Sequence, residues 1–257
     1  FMGFSCIQRL FALAWLPCRI RNPWTFRMFR FWLLVAAGTL LSGTVKADEA
    51  ALIARLAPKI SPKVIQEAVT AMKCAQNHGI GRTASRLAII DYSIPSRLPR
   101  LWVVDLKQQK LLFEEYVAHG QGSGNDVPNA FSDRDGSHQT SLGLFLTDTT
   151  YQGGNGYSMR LRGLSKGFNE SALRRLIVMH GAAYVNPLAA LSIGRLGRAW
   201  GCPAVRREVA KPMIDALKEG NFLYSHGTGT AKLSQCRTEN LSLASVSDLK
   251  PKTITAP

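Results

Sequence analysis

Acidic residues are scarce in this chain of 257 residues: 17 Asp and Glu stand against 32 Lys and Arg, a formal net charge of +15. Such a balance suggests an anionic partner, nucleic acid or a membrane surface. No basic stretch is interleaved with aromatics, however, so nucleic acid is not expected as a partner. Close ligand pairs such as His-x-x-x-His or Cys-x-x-Cys are also lacking. That removes the common zinc signatures and leaves only the scattered set His119, His180, His226 and Cys202, so no metal and no cofactor is expected. The run Gly120-x-Gly122-x-Gly124 lacks a following Lys-Ser/Thr and reads as a flexible loop, not a phosphate cradle. There is no internal repeat. With 46% hydrophobic and 19% charged residues the chain can bury a proper core, which excludes a disordered or collagen-like protein. One catalytic-size domain with extras is the expectation.

Two fifths of the net charge sits in residues 1–47, which hold Arg9, Arg19, Arg21, Arg27, Arg30 and Lys46 and no acid, leaving +9 for the rest. The apolar stretch 31–41 follows Arg27 and Arg30. It has the length of an export-signal core and is short of the roughly 20 residues a membrane span needs. Thr44-Val45-Lys46-Ala47 then supplies small residues at −3 and −1, which predicts cleavage after Ala47. Met28 would begin a more ordinary signal, so 1–47 reads as a signal peptide or as an N-terminal extension plus a signal. A retained anchor is the alternative, in which case this segment alone would touch a membrane. The expected location is the periplasm or cell envelope.

Export leaves Cys74, Cys202 and Cys236 in an oxidising compartment, an odd number that implies a free or reactive thiol. Cys74 lies in a helical run and Cys236 in a polar tail, and a bridge between them is one pairing open to the chain. Cys202 lies between Gly201 and Pro203 in a Gly-rich turn.

Residues 48–83 read as a helical cap or spacer. Asp48 caps a first helix, and Ser61-Pro62 offers an N-cap and N1 proline to a second, which ends at His78-Gly79. Strand-like runs follow at 87–90, 101–106 and 110–117, the last two forming a hairpin. Others fall at 143–147, 157–161, 175–179 and 222–225, with a turn at Gly153-Gly154-Asn155-Gly156 and a helix at 206–217 despite Pro212. A long loop occupies 120–137. The region 84–226 is therefore expected to be mainly β, a sandwich or barrel with few helices, and 227–257 a disordered polar tail.

Chemistry concentrates at His180-Gly181 and Trp200-Gly201-Cys202-Pro203. A thiol becomes a strong nucleophile near neutral pH when a base such as imidazole lies within hydrogen-bond reach. His180 would be held at a strand end. Gly201 would allow a sharp turn and a close backbone approach, turning nearby amides toward an oxyanion. A buried inert cysteine with a structural histidine satisfies the same spacing.

The segments Met179-His180-Gly181-Ala182-Ala183-Tyr184-Val185 and Gly194-Arg195-Leu196-Gly197-Arg198-Ala199-Trp200-Gly201-Cys202-Pro203-Ala204-Val205 resemble the active-site region of YkuD-type murein L,D-transpeptidase catalytic domains, in a branch with Trp-Gly-Cys-Pro at the nucleophile. Ser137-His138-Gln139-Thr140-Ser141-Leu142-Gly143 and the turn-strand 151–163 extend the likeness to roughly 85–225. The resemblance implies an L,D-transpeptidase-like fold and an exported cysteine acyltransferase acting on peptidoglycan tetrapeptide stems. Cys202 would form the thioester, His180 would serve as base, the Gly181 carbonyl would orient the imidazole, and Gly201 would fill the glycine position before the nucleophile. Arg198 and Arg195 are candidates for substrate carboxylates, as is Arg206. Tyr184 and Trp200 are candidate walls of the acyl pocket, and His138 and Ser141 candidate cleft residues.

Three departures qualify the likeness. Ala199-Trp200 replaces the usual Ser/Thr-His pair, so the second histidine is absent. The His-to-Cys separation is longer than usual, which implies an insertion over the site at 186–197. Pro203 removes an amide donor after the nucleophile. Hydrolysis of the same bond, as an L,D-carboxypeptidase or endopeptidase, is the nearest alternative, and a non-catalytic wall-binding module comes from a different class.

Overall fold

Asp48 starts the first helix by accepting the Ala50 amide at 3.1 Å, and α1 runs Glu49–Leu56. Pro62 at the first position of α2, Pro62–Asn77, forfeits an amide that would have no helical partner, and His78 ends the helix. Ser61 holds the N-cap position but makes no side-chain capping bond, so it contributes less than the sequence suggested. The computed structural model describes residues 48–230. The signal segment and the tail beyond residue 230 lie outside the described residues, as does Cys236.

Eight strands follow among the described residues: β1 Arg86–Asp91, β2 Leu101–Asp105, β3 Lys110–Glu115, β4 Gly143–Gly153, β5 Gly156–Gly163, β6 Val178–Gly181, β7 Ala204–Val205 and β8 Phe222–His226. They form one sheet in the order β3-β2-β1-β8-β4-β5-β6-β7. Just past β3, the Ala118 amide donates to the Ala204 carbonyl on β7 at 2.8 Å, so the first edge curls back toward the last. Of the two expected architectures, the sheet is the nearly closed barrel. The hairpins at 101–115 and 143–163 form; Gly153 pairs with Gly156 across the turn Gly154-Asn155, and Gly156 takes φ 75° where the strand resumes.

Two apolar cores lie on the sheet's two faces. One packs α1 and α2, through Ile53, Ile65, Ala68 and Met72, against Leu87, Ile89, Trp102 and Phe222. The other fills the barrel with Ile90, Val103, Met159, Leu161 and Met179 and is capped by α4, Arg207–Leu217, through Ala210, Met213, Ile214 and Leu217. Those four recur at helical spacing, and burial of that stripe explains why the helix persists through Pro212.

Two expectations need correction. The strand proposed at 175–179 begins only at Val178, because Leu176 takes φ 55°, a left-handed conformation that breaks strand geometry. The insertion at 186–197 contains a short helix, α3 Pro187–Ile193. Asn186 caps it by accepting the Leu188 and Ala189 amides, and Gly194 ends it at φ 79°.

Candidate active site

β6 and β7 run parallel with His180 opposite Ala204 and Gly181 opposite Val205, bringing the two motifs together at one edge of the barrel. Gly181 sits where a Cβ would meet the Ala210 Cβ at 2.8 Å, so the absent side chain lets α4 dock against this strand. His180 is buried, and its Nδ1–H donates to the Gly181 carbonyl at 3.2 Å. That bond fixes a neutral tautomer whose Nε2 carries the free lone pair. Burial pushes the imidazole below its ordinary value, opposed by the Gly181 carbonyl.

Cys202 enters β7 from Gly201, which has φ +114°. A Cβ at Gly201 would lie 2.8 Å from the Gln139 carbonyl oxygen, so this turn needs glycine on two counts. The sulfur receives the Val178 amide at 3.5 Å and faces the Leu176 carbonyl at 3.7 Å. Burial raises the thiol, while the Val178 amide and the Arg175 charge pull it down. No hydrogen bond joins Cys202 to His180 among the described residues. The sulfur is held at Val178, two residues before His180 on the same strand, so the expected thiol–imidazole pair is not engaged.

Cys202 is the free cysteine among the described residues, and Cys74 is disulfide-bonded. The four side chains considered for zinc are separately occupied: His119 takes a hydrogen bond from Arg100 at 2.8 Å, His226 bonds Glu67 at 2.9 Å, and His180 and Cys202 bond as described.

A cleft of about 480 Å³ opens beside His180, between the β4–β5 turn at Gly154-Asn155, Ala182 to Tyr184, and Arg207 and Lys211 of α4. Tyr184 lines this cleft. Trp200 is 71% exposed and lies flat on His138, with ring centroids 4.9 Å apart, and does not line this cleft.

The other candidates are placed differently from the sequence expectation. Ser141 is buried, accepting from Arg175 and donating to the Ser132 carbonyl at 3.3 Å. Arg198 donates to the Gly124 carbonyl at 2.8 Å and Arg195 to the Leu196 carbonyl at 2.9 Å, and neither lines the cleft. Arg206 is forked onto Glu115 at 3.0 and 2.5 Å. Arg207, which sequence reasoning passed over, is the cleft cation that makes no ion pair among the described residues, whereas Lys211 is tied to Asp215 at 2.6 Å. The signal available for Arg207 was its place in the first turn of a helix directly after the nucleophile strand.

The family model described as L,D-transpeptidase catalytic domain matches residues 56–226, more than half of the chain. The chain belongs to that family. Among solved structures, it is similar to an L,D-transpeptidase from Mycobacterium smegmatis at 13% identity and TM-score 0.34, covering 56% of this chain and 59% of that one. It is also similar to a mutant of the helical cell shape determining protein of Campylobacter jejuni at 11% identity and TM-score 0.37, covering 66% and 61%. An L,D-transpeptidase fragment from Xylanimonas cellulosilytica gives 13% identity and TM-score 0.33 over 60% and 68%. The match thus spans about three fifths of the mycobacterial chain. No curated protein matches. The family match begins at Leu56, the last residue of α1, and so covers most of the segment 48–83.

Proposed function

We propose that this L,D-transpeptidase-family protein is an exported cysteine acyltransferase acting on peptidoglycan tetrapeptide stems, with Cys202 as nucleophile and His180 as base. The observation that carries the proposal is the parallel pairing of β6 with β7, which puts His180 opposite Ala204, two residues after the free thiol, with the imidazole Nδ1–H committed to the Gly181 carbonyl. A neutral Nε2 is what a base needs, and burial keeps it neutral.

In the first half-reaction the Cys202 proton passes to His180 Nε2. The sulfur attacks the carbonyl between the L-centre of meso-diaminopimelate and the terminal D-Ala; the C–N bond breaks, D-Ala leaves carrying the proton from His180, and a thioester remains. An amine on a second stem then attacks the thioester, forming the new amide and returning the thiol. Substrate entry must bring sulfur and imidazole into contact, since they rest apart. That Arg207 lines the cleft, whereas Arg195 and Arg198 do not, supports it as the partner of a stem carboxylate. The domain division reduces to a catalytic unit that includes α2, preceded by a cleavable leader. The disulfide at Cys74 supports an oxidising compartment outside the cytoplasm.

Incubation of the protein and its Cys202→Ala variant with disaccharide-tetrapeptide muropeptides, read by mass spectrometry, tests this. Cross-linked dimers and a thioester adduct seen only with the thiol are expected. D-Ala loss without dimers would make the enzyme a hydrolase, and no adduct from the folded protein would sink the acyl-transfer reading.

A further inference from the structure

Arg175 lies in the turn just before β6, and its side chain is only 3% exposed. Nη1 donates to the Ser132 carbonyl at 2.8 Å and to Ser141 Oγ at 2.5 Å, and Nη2 to the Gln139 carbonyl at 2.9 Å and Ser137 Oγ at 3.2 Å. One guanidinium thereby gathers the loop 132–141 behind the nucleophile. A buried guanidinium is costly unless its N–H groups are met, and here four acceptors meet them.

The charge itself is only partly answered. Asp133 is the one carboxylate near it, at 3.6 Å, and Asp133 is already held by the Ser171 amide at 2.7 Å and the Ser141 hydroxyl at 3.4 Å. On its other side, Arg175 Nη2 comes within 3.4 Å of where a Cβ on Gly201 would sit, and the Gln139 carbonyl it holds comes within 2.8 Å of the same point. The guanidinium therefore lies against the residue preceding Cys202. The other ionisable side chains that sense the Cys202 charge are Tyr92 and Tyr184, and a phenol brings no positive charge; His180, further along β6, is held below its ordinary value by burial. Trp200, where the family's usual motif carries a histidine, brings no charge.

We infer that Arg175 is the positioning residue of the nucleophile: it seats the 132–141 loop against Gly201 and supplies the fixed positive charge that makes a Cys202 thiolate affordable in a buried turn. This rests on Cys202 being the nucleophile. A fixed positive charge packed against the residue before the nucleophile favours the ionised thiol in a poorly solvated site, and the Val178 amide supplies the hydrogen bond that a thiolate accepts.

The test is the pH dependence of Cys202 alkylation by iodoacetamide in the full-length chain, followed at the Cys202 peptide by mass spectrometry. Replacing the charge in Arg175→Met should move the alkylation midpoint up by about one pH unit. Arg175→Lys, which keeps the charge but not the fork, should fall between that variant and wild type. Asp133→Asn, which frees the charge, should move the midpoint down. A folded Arg175→Met protein with the wild-type midpoint would overturn the inference. Should that variant fail to fold, an unchanged midpoint in Asp133→Asn overturns it equally. Because alkylation needs no muropeptide, shifted midpoints without any turnover by wild type would defeat the transpeptidase proposal and leave the role of Arg175 standing.

Discussion

Trp200 stacks on His138 with ring planes 5° apart, and His138 reaches that position only by adopting φ 52°. The pair forms an exposed platform next to the nucleophile turn, steadied by Gln121 Nε2 at 3.0 Å from His138 Nδ1. A surface stack of this kind contributes on the order of 1 kcal/mol. Trp200→Ala should therefore lower stability by no more than about 1 kcal/mol in urea unfolding while raising the KM for tetrapeptide muropeptides several-fold. A large stability loss with KM unchanged would make Trp200 a structural residue only.

Gly201→Ala should behave in the opposite way. The new methyl would need a left-handed backbone and would meet a carbonyl oxygen held in place by Arg175. The expected cost is about 2–4 kcal/mol in denaturant unfolding, with little alkylation or turnover left, since the sulfur must leave the Val178 amide. Retention of wild-type stability would show that the 132–141 loop gives way easily.

The contrast between these positions shows what was legible in the sequence. Local chemistry read well: the cap at Asp48, the N1 proline at Pro62 and the glycine turn at Gly153 act through neighbours a few residues away. Asn186-Pro187 with Gly194 carried the same kind of signal for α3 and could have been found by the same rules. Partners distant in the chain were not legible. Nothing around Arg206 announces Glu115, nothing near Ser141 announces Arg175, and so arginines near the nucleophile in sequence were assigned to substrate while Arg207, facing the cleft, was missed. The motif pointed to His180 at a strand end and Cys202 in a turn, but only the folded chain reveals that the sulfur rests at the Val178 amide.

The acid limb of activity should lie below the ordinary imidazole range. His180 is depressed by burial, so it stays neutral and able to accept a proton at pH values where a free histidine, near 6.5, is already charged. The kcat/KM profile for muropeptides should accordingly hold its plateau through about pH 6.5 before falling. A fall centred at or above that value would mean that the imidazole is solvated or paired with a thiolate in the free enzyme.

Stability should decline over a related window for a different reason. His119 is fully buried, and burial together with the Arg100 cation lowers it to about 4. Its Nδ1 already accepts from Arg100 at 2.8 Å, so a proton there would set two donors against each other. Between its unfolded value of about 6.5 and about 4, the unfolded chain binds a proton that the folded chain refuses. Stability is full above that window and is lost as pH falls through it, by up to roughly 3 kcal/mol. His119→Gln retains an acceptor for Arg100 and should flatten the fall in urea midpoints between pH 7 and pH 4.5; an equally steep fall in that variant would assign the effect elsewhere.

Glu67 joins the helical segment to the sheet. Its Oε2 accepts from His226 at 2.9 Å, Thr230 at 3.1 Å and Tyr224 at 3.2 Å, tying α2 to the end of β8. Burial alone would raise this carboxyl, but the three bonds and the charge of His226 outweigh it and hold it below the usual range. Its stabilising effect is therefore present above the unfolded carboxylate value and is lost as pH falls through the lower folded one. Glu67→Ala should cost about 2–4 kcal/mol at pH 7, because three buried donors lose their acceptor at once. Glu67→Gln keeps an oxygen in place and should cost less. Fast hydrogen exchange confined to α2 in the alanine variant, with the barrel strands still protected, would show that the helix can lift off while the thiol site persists. Loss of protection in β8 and β4 together with α2 is the outcome expected here, since β8 lies between β1 and β4 in the sheet and carries both Tyr224 and His226.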